Sequence, residues 1–440
     1  MNKTVSLYTL GCKLNFAETS TIGKQFIGRG YSVVHENETA DVYVINTCTV
    51  TENAEKDCRQ YVRRVLRKNP DAFVIVTGCY AQLRPEEIAA IDGVDLILGS
   101  KEKFDVFSYI KNESKNGIAC IFTSPTEDLN SGFGKAFSSE ADSRTRAYFK
   151  IQDGCDYKCS FCTIPLARGK SRSMNPDDAV RQFENLVEDG YKEIILTGVN
   201  VGDYTAEGNF NLYGLLKEFA GIEGEFRMRI SSIEPNLLTR EIIELVASND
   251  KFCNHFHIPL QSGSDKILRL MQRRYTVQEY KRVIHTVNEI IPDAGIGVDV
   301  ISGFPGETNE DFLETHNFLR DLPVSYLHPF TYSERPDTKA ITMPGSVDVA
   351  ERRKRTNVLR ILSDKKRFEF FSRFSGETVD VLFESDETDG KIKGFSSNYI
   401  RCEAAFNRDL VNKIIPVKIL SASANICASE IALEKTESLN

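Results

Sequence analysis

The sequence lacks any apolar run long enough to cross a membrane. A spanning helix needs about 20 consecutive apolar residues, and no segment of the 440-residue chain reaches that length. The first residues, MNKTVSLYTLGCKLNFAE, also lack the apolar core of a signal peptide, because their apolar run ends at Gly11. These absences predict a cytoplasmic protein with no membrane partner.

The chain also has no excess of positive charge. Acidic residues number 63 against 55 basic ones, which leaves a formal net charge of −8. A nucleic-acid partner would therefore have to be bound by local basic patches, because the overall field does not attract it. No internal repeat of the solenoid type is present. A chain of this length is expected to fold as two or three domains.

Cysteine, in contrast, is plentiful and unevenly spaced. The eleven cysteines are an odd number, and clustered cysteines in a large cytoplasmic chain favour metal binding or catalysis over a disulfide framework. Five of them show no partner pattern and are interpreted as small buried hydrophobic residues. These five are Cys58, Cys120, Cys253, Cys402 and Cys427.

Patterns along the chain predict an α/β protein of three parts. In residues 1–122, apolar runs alternate with helical stretches, which predicts an open parallel sheet. Residues 123–146 are rich in Ser, Gly and Asp and are interpreted as a linker. Residues 147–372 contain six candidate strands separated by helical stretches, which predicts a partial (β/α)6 barrel. Short strands between Gly, Asp and Asn turns in residues 373–440 predict a small antiparallel β-barrel.

Three cysteines follow the first predicted barrel strand, in GCDYKCSFCTIP. They are Cys155, Cys159 and Cys162. Catalytic residues of such barrels lie at the C-terminal ends of the strands. A four-iron cubane normally takes four thiolates, so three leave one iron open to a small molecule, for which the amino and carboxylate end of S-adenosylmethionine (SAM) is suited. A zinc site is the alternative, but no fourth Cys or His lies in this loop.

Three other cysteines, Cys12, Cys48 and Cys79, are far apart in the sequence. Each follows its own apolar strand by zero to two residues. Because the carboxyl ends of parallel strands lie along one edge of a sheet, the three are candidates for one shared metal cluster. Gly11 and Gly78 beside two of them would permit close backbone approach. Cysteine is also a common core residue, so the spacing alone leaves both interpretations open.

Six motifs resemble those of a known family. They are TLGCKLN, NTCTVTENAEKDCR, VTGCYAQL, DGCDYKCSFCTIPLARG, HIPLQSGSDKILRLMQRRY and VDVISGFPGET. In this order, and over nearly the whole chain, they resemble the radical SAM methylthiotransferases, and the tail resembles their RNA-binding TRAM domain. The resemblance implies two 4Fe–4S clusters. A SAM-cleaving cluster would be held by the trio that begins at Cys155, and an auxiliary cluster by the trio that begins at Cys12.

The resemblance also implies an enzyme that replaces an unreactive hydrogen with a methylthio group. One SAM would supply the methyl group and a second SAM the radical. The chain looks most similar to the branch that modifies C2 of N6-threonylcarbamoyladenosine at position 37, in the anticodon loop of tRNA. Isopentenyladenosine 37 of tRNA and a ribosomal protein side chain are alternative substrates, and an RNA-binding iron–sulfur sensor is the non-enzymatic alternative. An electron donor such as flavodoxin or ferredoxin, and a sulfur donor, are further expected partners.

Five residues near the ends of predicted barrel strands are candidates for binding SAM. Gly198 resembles the glycine region that approaches the methionine end of SAM, and a strand-end turn is the alternative. Ser232, Glu234 and Gln261 would face the barrel mouth and contact the ribose or carboxylate, with turn and cap chemistry as the alternative. Arg273 would pair with a carboxylate in bidentate fashion or be solvated at the surface.

Two histidines, His255 and His257, alternate along the fourth barrel strand and therefore share a face. Structural histidines are favoured over a metal pair, because the cysteines already account for a metal. Basic residues also stand out in two helical stretches, at Lys56, Arg59, Arg63 and Arg67, and at 352–355 with 365–367. Each group is a candidate for phosphate contact, and a solvated face is the alternative.

The predicted C-terminal barrel is less basic than an RNA-binding domain is expected to be. From Ser375 onward, eleven acidic residues outnumber seven basic ones. Either its charges are segregated on one face, or this domain contributes shape and hydrogen bonding.

Overall fold

The described residues between positions 3 and 122 form an open sheet whose strands are all parallel, in the order β2-β1-β3-β4-β5-β6. The computed structural model describes residues 3–49, 52–111, 113, 115, 117–137 and 145–432. The elements of this part are β1 (Thr4–Thr9), α1 (Lys13–Gly28), β2 (Ser32–Val34), β3 (Val42–Thr47), α2 (Glu52–Lys68), β4 (Phe73–Gly78), α3 (Cys79–Leu83), α4 (Pro85–Ala89), β5 (Leu96–Leu98) and β6 (Cys120–Phe122). Every residue of β3 and β4 is buried, as expected for central parallel strands. The predicted open sheet is confirmed.

Six parallel strands form an incomplete barrel in the middle of the chain. Its elements are β7 (Arg146–Lys150), β8 (Gln152–Asp153), α5 (Ile164–Arg168), β9 (Arg172–Ser173), α6 (Pro176–Glu188), β10 (Glu193–Thr197), β11 (Thr205–Ala206), β12 (Phe210–Asn211), α7 (Leu212–Gly221), β13 (Arg227–Ile230), α8 (Arg240–Ala247), β14 (His255–His257), α9 (Asp265–Leu270), α10 (Val277–Ile290), β15 (Gly295–Ser302), α11 (Asn309–Asp321) and β16 (Tyr326–Thr331). The barrel consists of two sheets, β13-β10-β7 and β14-β15-β16, joined by parallel bridges between Met228 and Phe252 and between Ser232 and His257. All six predicted strands are present.

The barrel helices begin at capping residues that the sequence offers. The Asn175 side chain accepts hydrogen bonds from the first turn of α6. Thr276 and Thr308 form reciprocal capping boxes with Glu279 and Asp311 at the starts of α10 and α11. Such caps satisfy backbone N–H groups that have no partner within the helix. They explain why these helices start where the sequence patterns place them.

The segment before the barrel was predicted to be a linker over residues 123–146. It contains a 3-10 helix, Thr126–Ser131, and an isolated bridge between Phe137 and Phe149. Its residues 138–144 lie outside the described residues. In the same region, helix α1 packs against β7, which is an edge strand of the incomplete barrel. The N-terminal sheet and the barrel are therefore in direct contact.

A long helix, α12 (Val349–Ser372), leads from the barrel into a small closed barrel. Its strands are β17 (Thr378–Thr388), β18 (Lys391–Ser396), β19 (Arg401–Ala405), β20 (Ile414–Ala422) and β21 (Cys427–Ile431). Four neighbouring pairs are antiparallel, but β19 and β21 run parallel. The predicted antiparallel barrel is therefore corrected to a mixed one. A closed ring with an odd number of strands cannot alternate direction throughout, so at least one pair must be parallel.

The small barrel docks onto the N-terminal end of the larger one. Arg227 and Arg229 donate hydrogen bonds to the carbonyl oxygens of Phe395 and Ser397, at 2.7 and 2.9 Å. Both guanidinium groups also pair with the fully buried carboxylate of Glu193. Because the two arginines satisfy partners in both domains, they fix how the domains are joined.

Four of the five cysteines without a partner pattern are buried as predicted. Cys120 is exposed, so the prediction was wrong there. It lies on β6, an edge strand of the N-terminal sheet, where only one side is covered. Among the described residues, no helix combines the length and apolar character that a membrane crossing requires.

Candidate active site

The loop that carries Cys155, Cys159 and Cys162 follows β8, at the C-terminal end of the first barrel strand. All three are half-buried free thiols. The backbone N–H of Tyr157 points at Cys155 Sγ at 3.4 Å. The N–H of Cys162 donates to the carbonyl oxygen of Cys159 at 3.1 Å, which forms a tight turn. The loop therefore presents three sulfur atoms from one short, hydrogen-bonded segment.

The segment after α9 holds this loop in place. The N–H of Ser160 donates to the carbonyl oxygen of Met271 at 3.1 Å. Arg273 Nη1 donates to Cys159 Sγ at 3.1 Å, and its Nη2 pairs with the Glu234 carboxylate. Because the Arg273 side chain is only 3% exposed, the solvated surface alternative was wrong.

The thiols of this loop suit a metal cluster. Burial raises the pKa of Cys155 to about 11 and that of Cys162 to about 12, and the Cys159 sulfur nearby also raises both. Three thiolates crowded together need a compensating cation, which a metal provides when it replaces the protons. Hydrogen bonds to the sulfur atoms are also a standard means of tuning iron–sulfur clusters. The donor set therefore fits a cluster with three protein ligands.

The other trio lies along the carboxyl edge of the N-terminal sheet. Gly11 has φ +105°, and a Cβ there would lie 2.7 Å from Cys48 Cβ and 2.9 Å from its Sγ. Gly78 has φ +98°, and a Cβ would lie 2.3 Å from the carbonyl oxygen of Thr47. The two glycines permit close backbone approach, as predicted. Burial raises the pKa of Cys12, and the sulfur of Cys79 is near enough to raise it further. The structure thus brings Cys12, Cys48 and Cys79 together.

A buried polar network joins the two trios. Arg168 lies at the end of α5, six residues after Cys162. Its Nη2 donates to Asn15 Oδ1 at 2.8 Å, and the guanidinium also bonds both carboxylate oxygens of Glu18, at 2.9 and 3.0 Å. Asn15 in turn donates to the carbonyl oxygens of Leu10 and Thr47, at 2.7 and 3.1 Å. Leu10 lies two residues before Cys12, and Thr47 lies directly before Cys48. The network therefore reaches the backbone beside the trio of the N-terminal sheet.

Glu18 is the centre of this network. Its side chain is 0% exposed and pairs with Lys103, Lys150 and Arg168. Burial alone would raise the pKa of this carboxyl, but the three cations together lower it well below its usual range. Asp153 adds a second carboxylate, which Arg168 bonds at 3.0 Å. The network was missed in the sequence because each member taken alone resembles an ordinary surface charge.

The five predicted SAM-binding residues have different surroundings. Arg273 and Glu234 form the ion pair beside Cys159 described above. Gln261 adopts φ +68° and lines a cavity of about 220 Å³ together with Cys162. Ser232 is half-buried and forms a backbone bridge with His257. At Gly198, a Cβ would lie 2.9 Å from Gln152 Oε1, so packing accounts for this glycine without a ligand.

Inside the barrel, the structure shows polar residues that the sequence did not single out. Asp299 and His328 are opposite each other on β15 and β16. With His257 they form a group whose nitrogen and oxygen atoms all lie within 4.8 Å of one another. His257 Nε2 is 2.8 Å from Asp299 Oδ1, and His255 Nε2 is 2.8 Å from the Tyr326 hydroxyl, so both predicted structural histidines are hydrogen-bonded. The alternation Gly297, Asp299, Ile301 along one face of β15 was the available signal.

The two basic stretches differ in how far their charged side chains are exposed. In α2, Cys58, Val62 and Val65 are buried and place the basic face outward, as predicted. In α12, the prediction of phosphate contact was wrong for Arg352, Arg355 and Lys366, which are buried. Their charged groups are bonded to protein partners: Glu334 at 2.6 Å, Glu307 at 2.6 Å, and the carbonyl oxygens of Arg320 and Leu322 at 3.0 and 2.7 Å respectively.

Comparisons with known proteins agree with this arrangement. Residues 149–319 match the model of the Radical SAM superfamily, and residues 4–99 match a model described as "Uncharacterized protein family UPF0004". The chain is 41% identical over 95% of its length, and over 94% of the relative, to "Threonylcarbamoyladenosine tRNA methylthiotransferase MtaB" of Bacillus subtilis (strain 168). The chain belongs to the radical SAM methylthiotransferase family. Membership in this family implies a 4Fe–4S cluster and SAM, and the N-terminal domain implies a second cluster.

The chain is also similar to a second named tRNA-modifying relative and to a solved radical SAM enzyme. It is 34% identical to "tRNA-2-methylthio-N(6)-dimethylallyladenosine synthase" of Endomicrobium trichonymphae, over 96% of this chain and 98% of the relative. Its fold is similar to that of a solved radical SAM methyltransferase, TsrM from Kitasatospora setae. That similarity has a TM-score of 0.56 at 16% identity and covers 78% of this chain and 77% of TsrM.

Proposed function

We propose that this protein transfers a methylthio group to C2 of N6-threonylcarbamoyladenosine at position 37 of tRNA. The observation that carries the proposal is the joining of the two cysteine trios by one buried network. It occurs in a chain 41% identical to a relative named for threonylcarbamoyladenosine tRNA. The relative named for dimethylallyladenosine is less similar, at 34% identity. That nucleoside, also called isopentenyladenosine, is the second candidate, and a ribosomal protein side chain is the third.

In this proposal each cysteine trio holds one 4Fe–4S cluster. Cys155, Cys159 and Cys162 would bind the cluster to which SAM attaches, and Cys12, Cys48 and Cys79 would bind the auxiliary cluster. When bound, the clusters and SAM supply the methylthio group and the radical chemistry that the side chains of the protein cannot provide. The protein contributes binding, orientation and the exclusion of water.

The residues around the loop have distinct tasks in this scheme. Arg273 holds Cys159 and Glu234 in a fixed relation through its two nitrogen atoms. Ser232, Glu234 and Gln261 provide polar groups at the mouth of the barrel for the ribose and carboxylate of SAM. Gly198 keeps the end of β10 close to Gln152, whose Oε1 accepts a hydrogen bond from the N–H of Asn200 at 2.9 Å.

In this proposal each domain has its own role. Residues 1–122 would carry the auxiliary cluster, residues 147–372 the SAM cluster, and residues 373–440 would bind RNA. Exposed cations on α2, among them Arg63 and Arg67, are available to tRNA phosphates. A cytoplasmic electron donor such as flavodoxin or ferredoxin, and a sulfur donor, complete the reaction.

Nucleoside mass spectrometry of tRNA tests the proposal. A strain that lacks this protein should lose 2-methylthio-N6-threonylcarbamoyladenosine and accumulate its unmethylthiolated precursor. The wild-type gene and a Cys120→Ala control should restore the modification, since Cys120 is exposed and outside both trios. Cys159→Ala should not restore it.

Two results would contradict the proposal. The methylthio form of the dimethylallyl nucleoside could be lost instead, which would favour the second candidate substrate. Alternatively, the reduced, anaerobic protein could form no 5′-deoxyadenosine from SAM. That outcome would favour a non-enzymatic iron–sulfur sensor.

A further inference from the structure

Three exposed cations lie beside the loop that would hold the SAM cluster. They are Lys158, Arg274 and Lys339, and we refer to them as the cationic rim. Lys158 directly precedes Cys159 in the loop. Arg274 directly follows Arg273, whose Nη1 donates to the sulfur atom of Cys159 at 3.1 Å. Two members of the rim therefore adjoin Cys159 or the arginine that bonds its sulfur.

Hydrogen bonds hold the third member of the rim against the same loop. The N–H of Ala340, next to Lys339, donates to the carbonyl oxygen of Ser160 at 2.8 Å. Gln272 lies between the two lysines. Its Nε2 donates to the carbonyl oxygen of Lys158 at 2.5 Å, and its Oε1 accepts a hydrogen bond from the Lys339 ammonium at 2.8 Å. The rim is therefore one continuous patch at the surface.

The charges of the rim are not neutralised by carboxylates. None of its three members forms an ion pair with a residue that the structure describes. Two exposed carboxylates, Asp156 and Asp337, each lie two residues from a rim lysine, but both are already bonded. Asp156 accepts a hydrogen bond from the N–H of Ser171 at 3.3 Å, and Asp337 pairs with Arg84 at 2.5 Å. The patch therefore presents positive charge to a partner.

Most of the rim lies over the middle of the incomplete barrel. The central carbon of the Arg274 guanidinium is 3.8 Å from the centre of the Tyr157 ring, and the Tyr157 hydroxyl accepts a hydrogen bond from Asn236 at 2.8 Å. Asn236 follows β13, and Arg274 lies between α9 and α10, which follow β14. These are the two middle strands of the six. The edge strands β7 and β16 do not pair with each other in the described part of the chain, so the barrel opens on its other side.

We propose that the cationic rim is the docking surface for an acidic protein that carries one electron to the cluster held by Cys155, Cys159 and Cys162. The inference rests on the proposed function, because reductive cleavage of SAM needs an electron from an external carrier. In the transfer the carrier loses one electron and the cluster gains one, and no bond is formed or broken. Electron transfer slows steeply with distance, so the carrier must dock beside the cluster, and the rim adjoins Cys159.

The character of the patch suits such a carrier. Interfaces between electron-transfer partners are small, because the complex must dissociate after each transfer. Complementary charges raise the rate of encounter without demanding a large apolar contact. The phosphates of tRNA are the other anions that three cations attract. The carrier is favoured because the reacting base must enter the barrel, whereas most of the rim lies across the barrel from its open side.

Two measurements on the enzyme that contains both clusters test the inference. One is the affinity for oxidised flavodoxin and for oxidised ferredoxin, two acidic carriers. The other is the rate of 5′-deoxyadenosine formation with each carrier in its reduced form. Combining Lys158→Gln, Arg274→Gln and Lys339→Gln should weaken binding and slow this rate about 10- to 100-fold at low salt. The loss should shrink at about 0.5 M salt, because screening removes the attraction.

Matched controls separate docking from damage to the cluster site. Reduced methyl viologen, a small cation that needs no docking surface, should support the same rate in the wild type and in the triple variant. Combining Lys217→Gln, Lys281→Gln and Lys365→Gln removes the same charge at exposed positions and should leave carrier binding unchanged. Iron content is measured for every variant. If the triple variant loses iron, the pair Arg274→Gln and Lys339→Gln decides the question, since neither residue lies in the cysteine loop.

Three results would overturn the inference while leaving the proposed function intact. The wild type could cleave SAM with methyl viologen but bind neither carrier. The triple variant could keep all its iron together with undiminished affinity for both carriers. It could also keep that affinity and lose affinity for an anticodon stem-loop, which would make the rim an RNA-binding surface. Failure of the proposed function has a different signature, namely a wild type that forms no 5′-deoxyadenosine even with methyl viologen.

Discussion

Removing the charge of either Glu18 or Arg168 is expected to destabilise the junction between the N-terminal sheet and the barrel. The loss of the Glu18 charge should cost more than the loss of the Arg168 charge. The fully buried members of this set are three cations, Lys103, Lys150 and Arg168, and two carboxylates, those of Glu18 and Asp153. Arg172, which also pairs with Asp153, is partly exposed. Glu18→Gln leaves three cations facing one carboxylate. A substitution of Arg168 by Met leaves two of each.

The magnitude follows from the cost of an uncompensated buried charge. Removing one partner of a buried ion pair costs about 3–5 kcal/mol. We expect Glu18→Gln to lie near 5 kcal/mol, because the excess of buried positive charge rises from one to two. Arg168→Met should lie near 3 kcal/mol, because the remaining charges balance, although Asn15 loses its hydrogen bond. Glu314→Gln, at an exposed position of α11, should change stability by less than about 0.5 kcal/mol.

Native-state hydrogen exchange is the suitable assay, since a chain with several domains does not unfold in one step. Peptides from α1 and α5 should lose protection in both variants, and more in Glu18→Gln. The reasoning is refuted if Glu18→Gln is no more destabilising than Arg168→Met, or if it matches the Glu314→Gln control.

Three further predictions concern other parts of the molecule. Gly11→Ala should lower the iron content from about eight to about four atoms per chain, because the backbone there has a positive φ and the added Cβ would overlap Cys48. Gly28→Ala is the control and should keep all the iron, since a Cβ there meets no atom within 4 Å. Arg273→Lys should retain iron but slow SAM cleavage about 10- to 100-fold, because a lysine cannot bond a thiolate and a carboxylate in the same fork; an unchanged rate would contradict this role. Burial would raise the pKa of Glu193, but its arginine partners lower it well below the usual range. The stability it contributes is therefore complete at neutral pH and is lost progressively below about pH 5; Glu193→Gln should lower stability at pH 7 and flatten this loss in acid unfolding curves.

The fold could be predicted because its strands have simple patterns. The runs that became β3, β4 and β15 are apolar along most of their length, and the helices between barrel strands start at recognisable caps such as Thr276 and Thr308. The position of Cys12, Cys48 and Cys79 at strand ends made them candidates for one shared cluster, since parallel strands end at one edge, but it left burial as core residues equally open. The parallel pair in the small barrel was missed because strand direction depends on ring closure, which no local pattern records.

Contacts between distant charges could not be predicted in the same way. Glu18 and Arg168 are 150 residues apart, and each resembles a solvated residue of an amphipathic helix. Arg352 and Arg355 looked like phosphate ligands for the same reason, although both are bonded inside the protein. Burial of a charge depends on a partner from another element, and a single sequence does not show which elements pack together.

The iron content of the anaerobically reconstituted protein tests the central claim most directly, when it is combined with one substitution in each trio. The account predicts about eight irons per chain in the wild type and about four in both Cys159→Ala and Cys48→Ala. It further predicts that only the Cys48→Ala protein still cleaves SAM when reduced. A wild type that holds four irons, or two variants that both keep eight, would contradict the assignment of one cluster to each trio.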